Sequence, residues 1–560
     1  MFHSKKGKIK MKIKDILIAG GLVLGAMSMT SCKDYLELTP RDSQTSDTFF
    51  RTSVEAKQAL VGIYEKLRSD YNRVEERSTP NEVRMFDMAM GDDAMVGGDP
   101  SGQDMLYYQE ISKFRAQTNS DAAKVAWDKC FGGIQRANTL LANYDNIEFS
   151  TAEEDLKNNI KGEALFLRAH YYFELARLFE NVPMYTDILV GDAWREVKQV
   201  SPDELYAQIA KDMTEAIPLM AETIPEGEEG RLTKYAAEAE LLKVFLFYTG
   251  YYAKSELPVK DGTALTKADM VTAADDVINN SGAVLATNYA DLFNQNGNYN
   301  KEVIFEIAFA NTGSGDWGDW SFGSILCQMS GPRAHTSDSF QQGWGFMAPT
   351  RDLENAFEDD DLRKPATIKY SKDLIDEAGS TYQAHYNFTS MHTNKYTTHT
   401  WNKAEVNTEL NWAQNYHYIR LADVLLMAAE LNLDTDAAKA SGYYNQVRQR
   451  AGLGAKSAVS LADIQQERRV ELAMEGHRYF DLLRRGLDEA ESEINVTGYT
   501  LTPPTDESAQ YVDAAGNNMT GDIGDPETYN VTFDRAKRGF LPIPQVEIDL
   551  HPLLVQNAGY

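Results

Sequence analysis

The chain has 560 residues, 43% hydrophobic and 25% charged, with 84 acidic against 55 basic residues and a net charge of −29. That apolar content supports a large core and excludes disorder over most of the length. The acidic balance excludes an extended basic surface for DNA, RNA or anionic lipid, and suits a neutral ligand or one that meets a local basic spot.

Lys5, Lys6, Lys8, Lys10, Lys12 and Lys14 precede the apolar run 16–27, and Ser28-Met-Thr-Ser-Cys32 follows. A basic head, a short apolar middle and small residues before a cut site predict an export signal over residues 1–31. The run is shorter than the roughly 20 residues that a membrane span needs. Met29–Cys32 resembles a bacterial lipobox, which makes Cys32 the expected lipid attachment site. Several acyl chains there would anchor the protein stably where one is marginal. Residues 1–31 hold six lysines and Asp15, so their removal leaves 49 basic and 83 acidic residues, a net charge of −34. Cys130 and Cys327 then remain. Export permits a bridge, but an apolar helical pattern around one and a distant loop-rich setting for the other predict two buried thiols.

Helical spacing dominates the first half. Ser53–Asp70 carries Ala56, Leu60, Ile63 and Leu67 on one face, and Ala122–Tyr144 carries Val125, Phe131, Ile134 and Leu141. Leu156–Phe179 has a wider apolar face and ends before Pro183. Ser201-Pro-Asp-Glu204 opens the next helix with a capping box and proline in the first turn. Thr233–Tyr252 follows, with Ala236, Ala237 and Ala239 small enough for close helix approach. Such pairs resemble tetratricopeptide (TPR) units, although no strict 34-residue repeat is present. Val303–Phe309 predicts a short strand. Asn311–Gly345 and Tyr382–Trp412 are irregular and aromatic. Helices return over Tyr418–Leu433, Ala437–Ala451 and Leu461–Arg485, and Gly498–Gly539 is a second polar stretch. The expected fold is mainly α: a TPR-like paired-helix scaffold with long loop-rich insertions and a few short strands. Residues 32–280 form its helical part and 281–560 its loop-rich and helical part, packed as one unit. Trp127 and Trp194, beside scaffold helices, are expected in the core.

Several segments, in order along nearly the whole mature chain, resemble the SusD/RagB family of outer-membrane lipoproteins. They are Cys32-Lys-Asp-Tyr-Leu-Glu-Leu-Thr-Pro40, Arg168-Ala-His-Tyr-Tyr-Phe-Glu-Leu-Ala-Arg177 running into Asn181-Val-Pro183, Tyr418–Glu430, Val447–Leu453, the block Glu467–Arg484, and Phe540–Gln545 through Asn557-Ala-Gly-Tyr560. The 467–484 block is the most specific. It departs from the family in having Leu483-Arg484-Arg485-Gly486 where an aromatic often precedes the glycine. The resemblance implies a TPR-like helical fold, no catalysis, no cofactor and a lipid-anchored place on the outer membrane, facing outward. It further implies capture of oligosaccharides, less often peptides, and delivery to a SusC-like TonB-dependent transporter. The alternatives are an oligopeptide receptor of the same lid type, an endo-acting glycan hydrolase with its acid pair in the loops, or a passive adhesin.

Glu467, Glu471, Glu475, His477, Arg478 and Asp481 would share one helix, with Glu471 beside Glu475, Glu475 beside Arg478 and His477 beside Asp481. Paired carboxylates can serve acid/base chemistry, but an ion-paired structural helix is the expectation here. His385, His392 and His399 lack zinc spacing and are expected as solvated loop side chains. Asp92, Asp93 and Asp99, or Asp359-Asp360-Asp361, lack an EF-hand pattern. The ligand-contact candidates are Trp317, Trp320 and Trp344, set among glycines where an indole can present its face to a pyranose. Asp316, Asp319 and Arg333 are the expected hydrogen-bonding partners. The loop Gly91–Tyr108, with Asp92, Asp93, Tyr107 and Tyr108, is a second candidate wall. No metal site is expected.

Overall fold

Ala56, Leu60, Ile63 and Leu67 form the buried stripe of helix α1 (Ser53–Arg68), as their spacing requires. The computed structural model describes residues 49–68, 84–99, 103–312, 322–333, 335–371, 373–374, 382–383, 387, 389–403, 409, 411–500, 510–512, 518–520 and 528–560. Helices α2 (Asp121–Asn143), α3 (Glu154–Phe179), α4 (Pro202–Ala216) and α5 (Lys234–Tyr251) follow, and each packs on its predecessor. Gly133 sets the α2–α3 distance, since a Cβ there would stand 2.3 Å from the Tyr171 ring. The Tyr171 hydroxyl crosses further and donates to the Ile63 carbonyl at 2.7 Å, tying α3 to α1. The expected capping box forms: the Ser201 hydroxyl accepts from the Glu204 N–H, and the Glu204 carboxylate from the Ser201 N–H. Ala236, Ala237 and Ala239 are fully buried where α5 meets its neighbours.

Helix α6 (Lys267–Asn280) is absent from the sequence reading. Its buried side is only Met270, Ala274 and Val277, too sparse to stand out among polar neighbours. It packs against α5 and α7 (Leu421–Asn432), and α7 in turn against α8 (Ala437–Arg450). Two later boundaries differ from expectation. Strand β1 (Val303–Ile307) pairs antiparallel with β2 (Tyr416–Arg420), so the run expected to be helical from Tyr418 begins as strand. Leu461–Arg485 is two helices, α9 (Leu461–Glu471) and α10 (Arg478–Arg485). The turn between them uses left-handed backbone at Met474 (φ 60°) and Gly476 (φ 77°). A Cβ on Gly476 would come within 2.8 Å of the Tyr416 hydroxyl, which donates to the Glu475 carbonyl. Helix α10 returns to α5, and Thr52–Tyr560 forms one compact unit. Cys130 and Cys327 are buried thiols outside any disulfide. Among the described residues no helix is long and apolar enough to cross a membrane.

Candidate functional site

The charged groups of the 467–484 block are divided by the α9–α10 turn and point into the protein. Arg420, at the end of β2, donates to Glu471 at 2.9 Å, to Glu302 at 2.6 Å and twice to Glu475 at 2.8 Å. Arg450 also meets Glu471 and Glu302. Arg363 joins Asp361, Glu467 and Glu471, and Lys395 donates to Glu475 at 2.8 Å. A parallel set links Arg468 to Asp423 and Asp481, and Arg484 to Asp481 and Glu430. The ion-paired expectation holds, with other partners than helical spacing gives. Arg478 pairs with Asp92 and Glu493 rather than Glu475. His477 accepts at Nδ1 from Lys243 at 3.2 Å and lies 4.0 Å from Asp423 rather than beside Asp481.

Burial raises the Glu475 carboxyl, but Arg420 and Lys395 outweigh it and hold it at about 2. Glu471 is likewise held down by Arg450, Arg420 and Arg363 against the effect of burial. Burial and Lys243 push His477 down to about 3, while burial brings Lys395 down to about 8. Carboxylates held ionised by arginine and closed from solvent carry no proton to give at neutral pH. The arrangement joins strands, helices and loops.

Asp92 and Asp93 belong to this framework rather than to a ligand wall. Strand pairing of Ala94–Met95 with Ala348–Pro349 draws their loop inward. Asp92 then accepts from Arg478 at 2.7 and 2.8 Å, and Asp93 from Arg469 at 2.8 Å. Tyr108 is fully buried against Phe346. The half-buried residues left at this edge are Asp99, Asp104, Tyr107, Arg333 and Trp344. Arg333 meets Asp99 at 3.2 Å and donates to the Trp344 carbonyl at 3.2 Å. Gly98 donates to the Gly345 carbonyl at 3.1 Å, so the two loops are zipped side by side. Burial raises the Asp104 carboxyl, opposed by Arg333 and reinforced by Asp99. Asp104 had no signal in the sequence beyond its place in the 91–108 loop. The short helix Leu326–Ser330 braces the face: the Gln328 carbonyl accepts from the Trp344 N–H at 2.8 Å, and its side chain from Trp412 at 3.2 Å. Trp412 is fully buried and fills the loop region's own core. Trp317, Trp320, Asp316, Asp319 and Cys32 lie outside the described residues, as does His385.

The remaining candidates resolve into structure. His392 is buried against the Ser371 hydroxyl at 3.0 Å, not solvated, and His399 packs on Phe340, with burial lowering it to about 4. Asp361 is paired with Arg363. Arg168, in the α3 motif, forms a bidentate pair with Asp212 at 2.7 and 2.8 Å. His170, Glu174 and Glu240 bring potential metal-ligand atoms within 4.8 Å of one another. However, His170 is bonded to Glu240, Tyr418 donates to both carboxylates, and Arg177 pairs with Glu174, so the place of a cation is taken. Trp127 is core as expected, at 4% exposure. Trp194 is not: it stands half-exposed on the turn Ala193–Glu196.

Residues 301–560 match the family model described as SusD family, and residues 34–246 one described as starch-binding associating with outer membrane. A SusD-like protein from Formosa agariphila is 26% identical over 530 residues, covering 85% of this chain and 90% of its own. A SusD-like protein from Bacteroides ovatus is 26% identical over 498 residues, covering 85% and 83%. A solved laminarin-binding SusD-like protein superposes with a TM-score of 0.73 at 29% identity, over 91% of this chain and all of that one. Surface glycan-binding protein A from Bacteroides thetaiotaomicron, solved with laminarihexaose, shares the fold at a TM-score of 0.74 and 24% identity, over 90% and 99%.

Proposed function

The chain belongs to the SusD/RagB family, and on that premise we propose that it is a surface glycan-binding protein that captures oligosaccharides without cleaving them. The observation that carries the reading is the end-to-end likeness to the laminarin-binding relative, at 29% identity. The face at Arg333 and Trp344 fits it chemically. It brings a half-buried tryptophan, a carboxylate and a guanidinium onto adjoining loops, suited to a ligand with flat C–H faces and many hydroxyls. Trp317, Trp320, Asp316 and Asp319 are proposed as further glycan contacts from their glycine-rich sequence alone. Cys32 anchors the protein through lipid to the outer membrane, and a SusC-like TonB-dependent transporter receives the ligand.

A screen of neutral oligosaccharides and peptides against the soluble form lacking Cys32 tests the reading. Binding of a saccharide with no new reducing ends supports it. Binding of peptides alone makes the protein an oligopeptide receptor, and release of reducing ends makes it a hydrolase. Co-purification in fixed stoichiometry with a transporter separates a lid from an adhesin. Cys32→Ala is expected to leave the membrane fraction in cells without the transporter; retention there contradicts the anchor.

A further inference from the structure

A second cleft, bounded by α2 and by segments near residues 183–197 and 546–554, encloses about 650 Å³. Small-ligand sites occupy roughly 300–1,000 Å³. Trp127, Phe131, Tyr185, Trp194 and His551 stand in its walls. Trp127 is core, but Phe131, Tyr185 and Trp194 are all half-buried. The Phe131 and Tyr185 rings are parallel to within 6°, with centroids 6.2 Å apart. Trp194 meets the His551 ring at 5.7 Å. Three partly exposed aromatic side chains around one cavity are an unusual use of surface, and such clustering marks recognition.

One polar group in these walls is buried without a partner, and a second is open to solvent. Tyr185 takes part in hydrogen bonds through its carbonyl, which accepts from Tyr172 and Asn138. Its hydroxyl is not a buried atom and stands open to solvent. Burial alone raises that phenol to about 12, so it remains a neutral donor at any physiological pH. His551 is only 5% exposed and accepts at Nδ1 from the Leu553 N–H at 3.3 Å. Its proton therefore sits on Nε2, which has no partner among the described residues. A buried donor without an acceptor is costly, and a ligand oxygen would relieve it. The cation lining the cleft, Lys124, is held by Asp128 and by Glu547 at 3.3 Å, so the site does not favour an anion.

The remaining cation, Arg195, lies over the Trp194 ring at 4.9 Å; flat rings and hydrogen-bond donors select a ligand with C–H faces and hydroxyl oxygens. We infer that this cleft is a second saccharide-binding site, for a neutral pyranose chain, formed by residues separate from the Arg333–Trp344 face. The inference rests on the glycan reading for its ligand class and goes beyond it in location. The competing occupant is an apolar polypeptide, because Leu189, Val197, Val546 and Leu554 also line the cleft. The donors in the cleft walls, His551 Nε2–H and the Tyr185 hydroxyl, favour the sugar over it.

Hydrogen–deuterium exchange on the full-length chain tests this, with laminarihexaose, maltohexaose, cellohexaose and xylohexaose as probes and a Leu/Val-rich peptide as the contrast. A bound hexasaccharide is expected to slow exchange in segments 185–197 and 545–555 as well as in the loops at 322–346. Trp194→Ala is expected to raise the concentration needed for the first effect about tenfold and to leave the second unchanged. Tyr185→Phe keeps the ring and is expected to give a smaller shift in the same direction at an unaltered melting temperature. Protection of the loops alone overturns the second site and leaves the glycan reading standing. No protection by any hexasaccharide overturns both. Protection of the cleft by the peptide but by no sugar, or equal loss at both places in Trp194→Ala, also overturns the inference.

Discussion

Around α9 and α10, Arg363, Arg420 and Arg468 meet carboxylates in the dry interior; at the loop edge, Arg333 meets Asp99, which is 35% exposed. The chemistry of the groups is the same, and the surroundings decide what they do. In the first region each charge has several opposite partners and no path to solvent. Removing one partner strands the others, which costs far more than the pair itself contributes. In the second region water and a ligand can replace the partner, and the pair itself is worth about 0–1 kcal/mol. Dense buried pairing therefore marks architecture, and half-exposed pairing leaves room for the recognition proposed at the loop edge.

The largest effect that separates the two regions is expected from Glu471→Ala and Arg420→Ala. Each should lower stability by about 3–5 kcal/mol, measured by denaturant unfolding, while the folded fraction keeps its affinity for glycan. Loss of binding at unchanged stability would move the framework into the site. Next comes acid. His477 is held near 3 in the fold but titrates at about 6.5 when unfolded. The unfolded chain thus binds the extra proton first, and stability falls as pH drops below about 6.5. Glu475, held at about 2 against about 4.3 unfolded, contributes stability that is present above about 4.3 and lost towards about 2. Melting temperature against pH should show both arms, and His477→Gln should shrink the upper one, which His399, lowered to about 4, shares.

Much of the scaffold was legible because its signals are local. Ser201-Pro-Asp-Glu204 gives its own cap, and the stripe on α1 needs only spacing. Helix α6 escaped because Met270, Ala274 and Val277 are too few to show a face without knowing what they pack on. The α9–α10 break escaped for a different reason. Gly476 reads as one tolerated glycine in a helical pattern until Tyr416, sixty residues earlier, fills the space its side chain would need. The partners of Glu475 and Arg478 could not be read at all, because Arg420, Lys395 and Asp92 come from distant parts of the chain. The candidate site was legible in composition but not in geometry. Arg333 and Trp344 were named from their loops, yet Asp104 joins them only when the two loops lie together, while Asp92, Asp93 and Tyr108 leave because a two-residue strand turns them inward.

Smaller effects sharpen the recognition side. Trp344→Ala should weaken oligosaccharide binding by roughly 1–3 kcal/mol, as for loss of an aromatic stacking platform, with the melting temperature kept. Asp99→Asn should change affinity only a fewfold, consistent with a half-exposed pair, and leave unfolding curves superimposable on those of the unaltered protein. A large stability loss in either would show that this edge is core.

The most direct measurement is a calorimetric titration of the unaltered protein and of Trp344→Ala, side by side, with each saccharide found to bind in the screen. The account predicts saturable binding by the first and an affinity about tenfold or more weaker in the second at equal melting temperature. Equal affinities in both, for a saccharide whose binding is established, would contradict the placement of glycan recognition at this face.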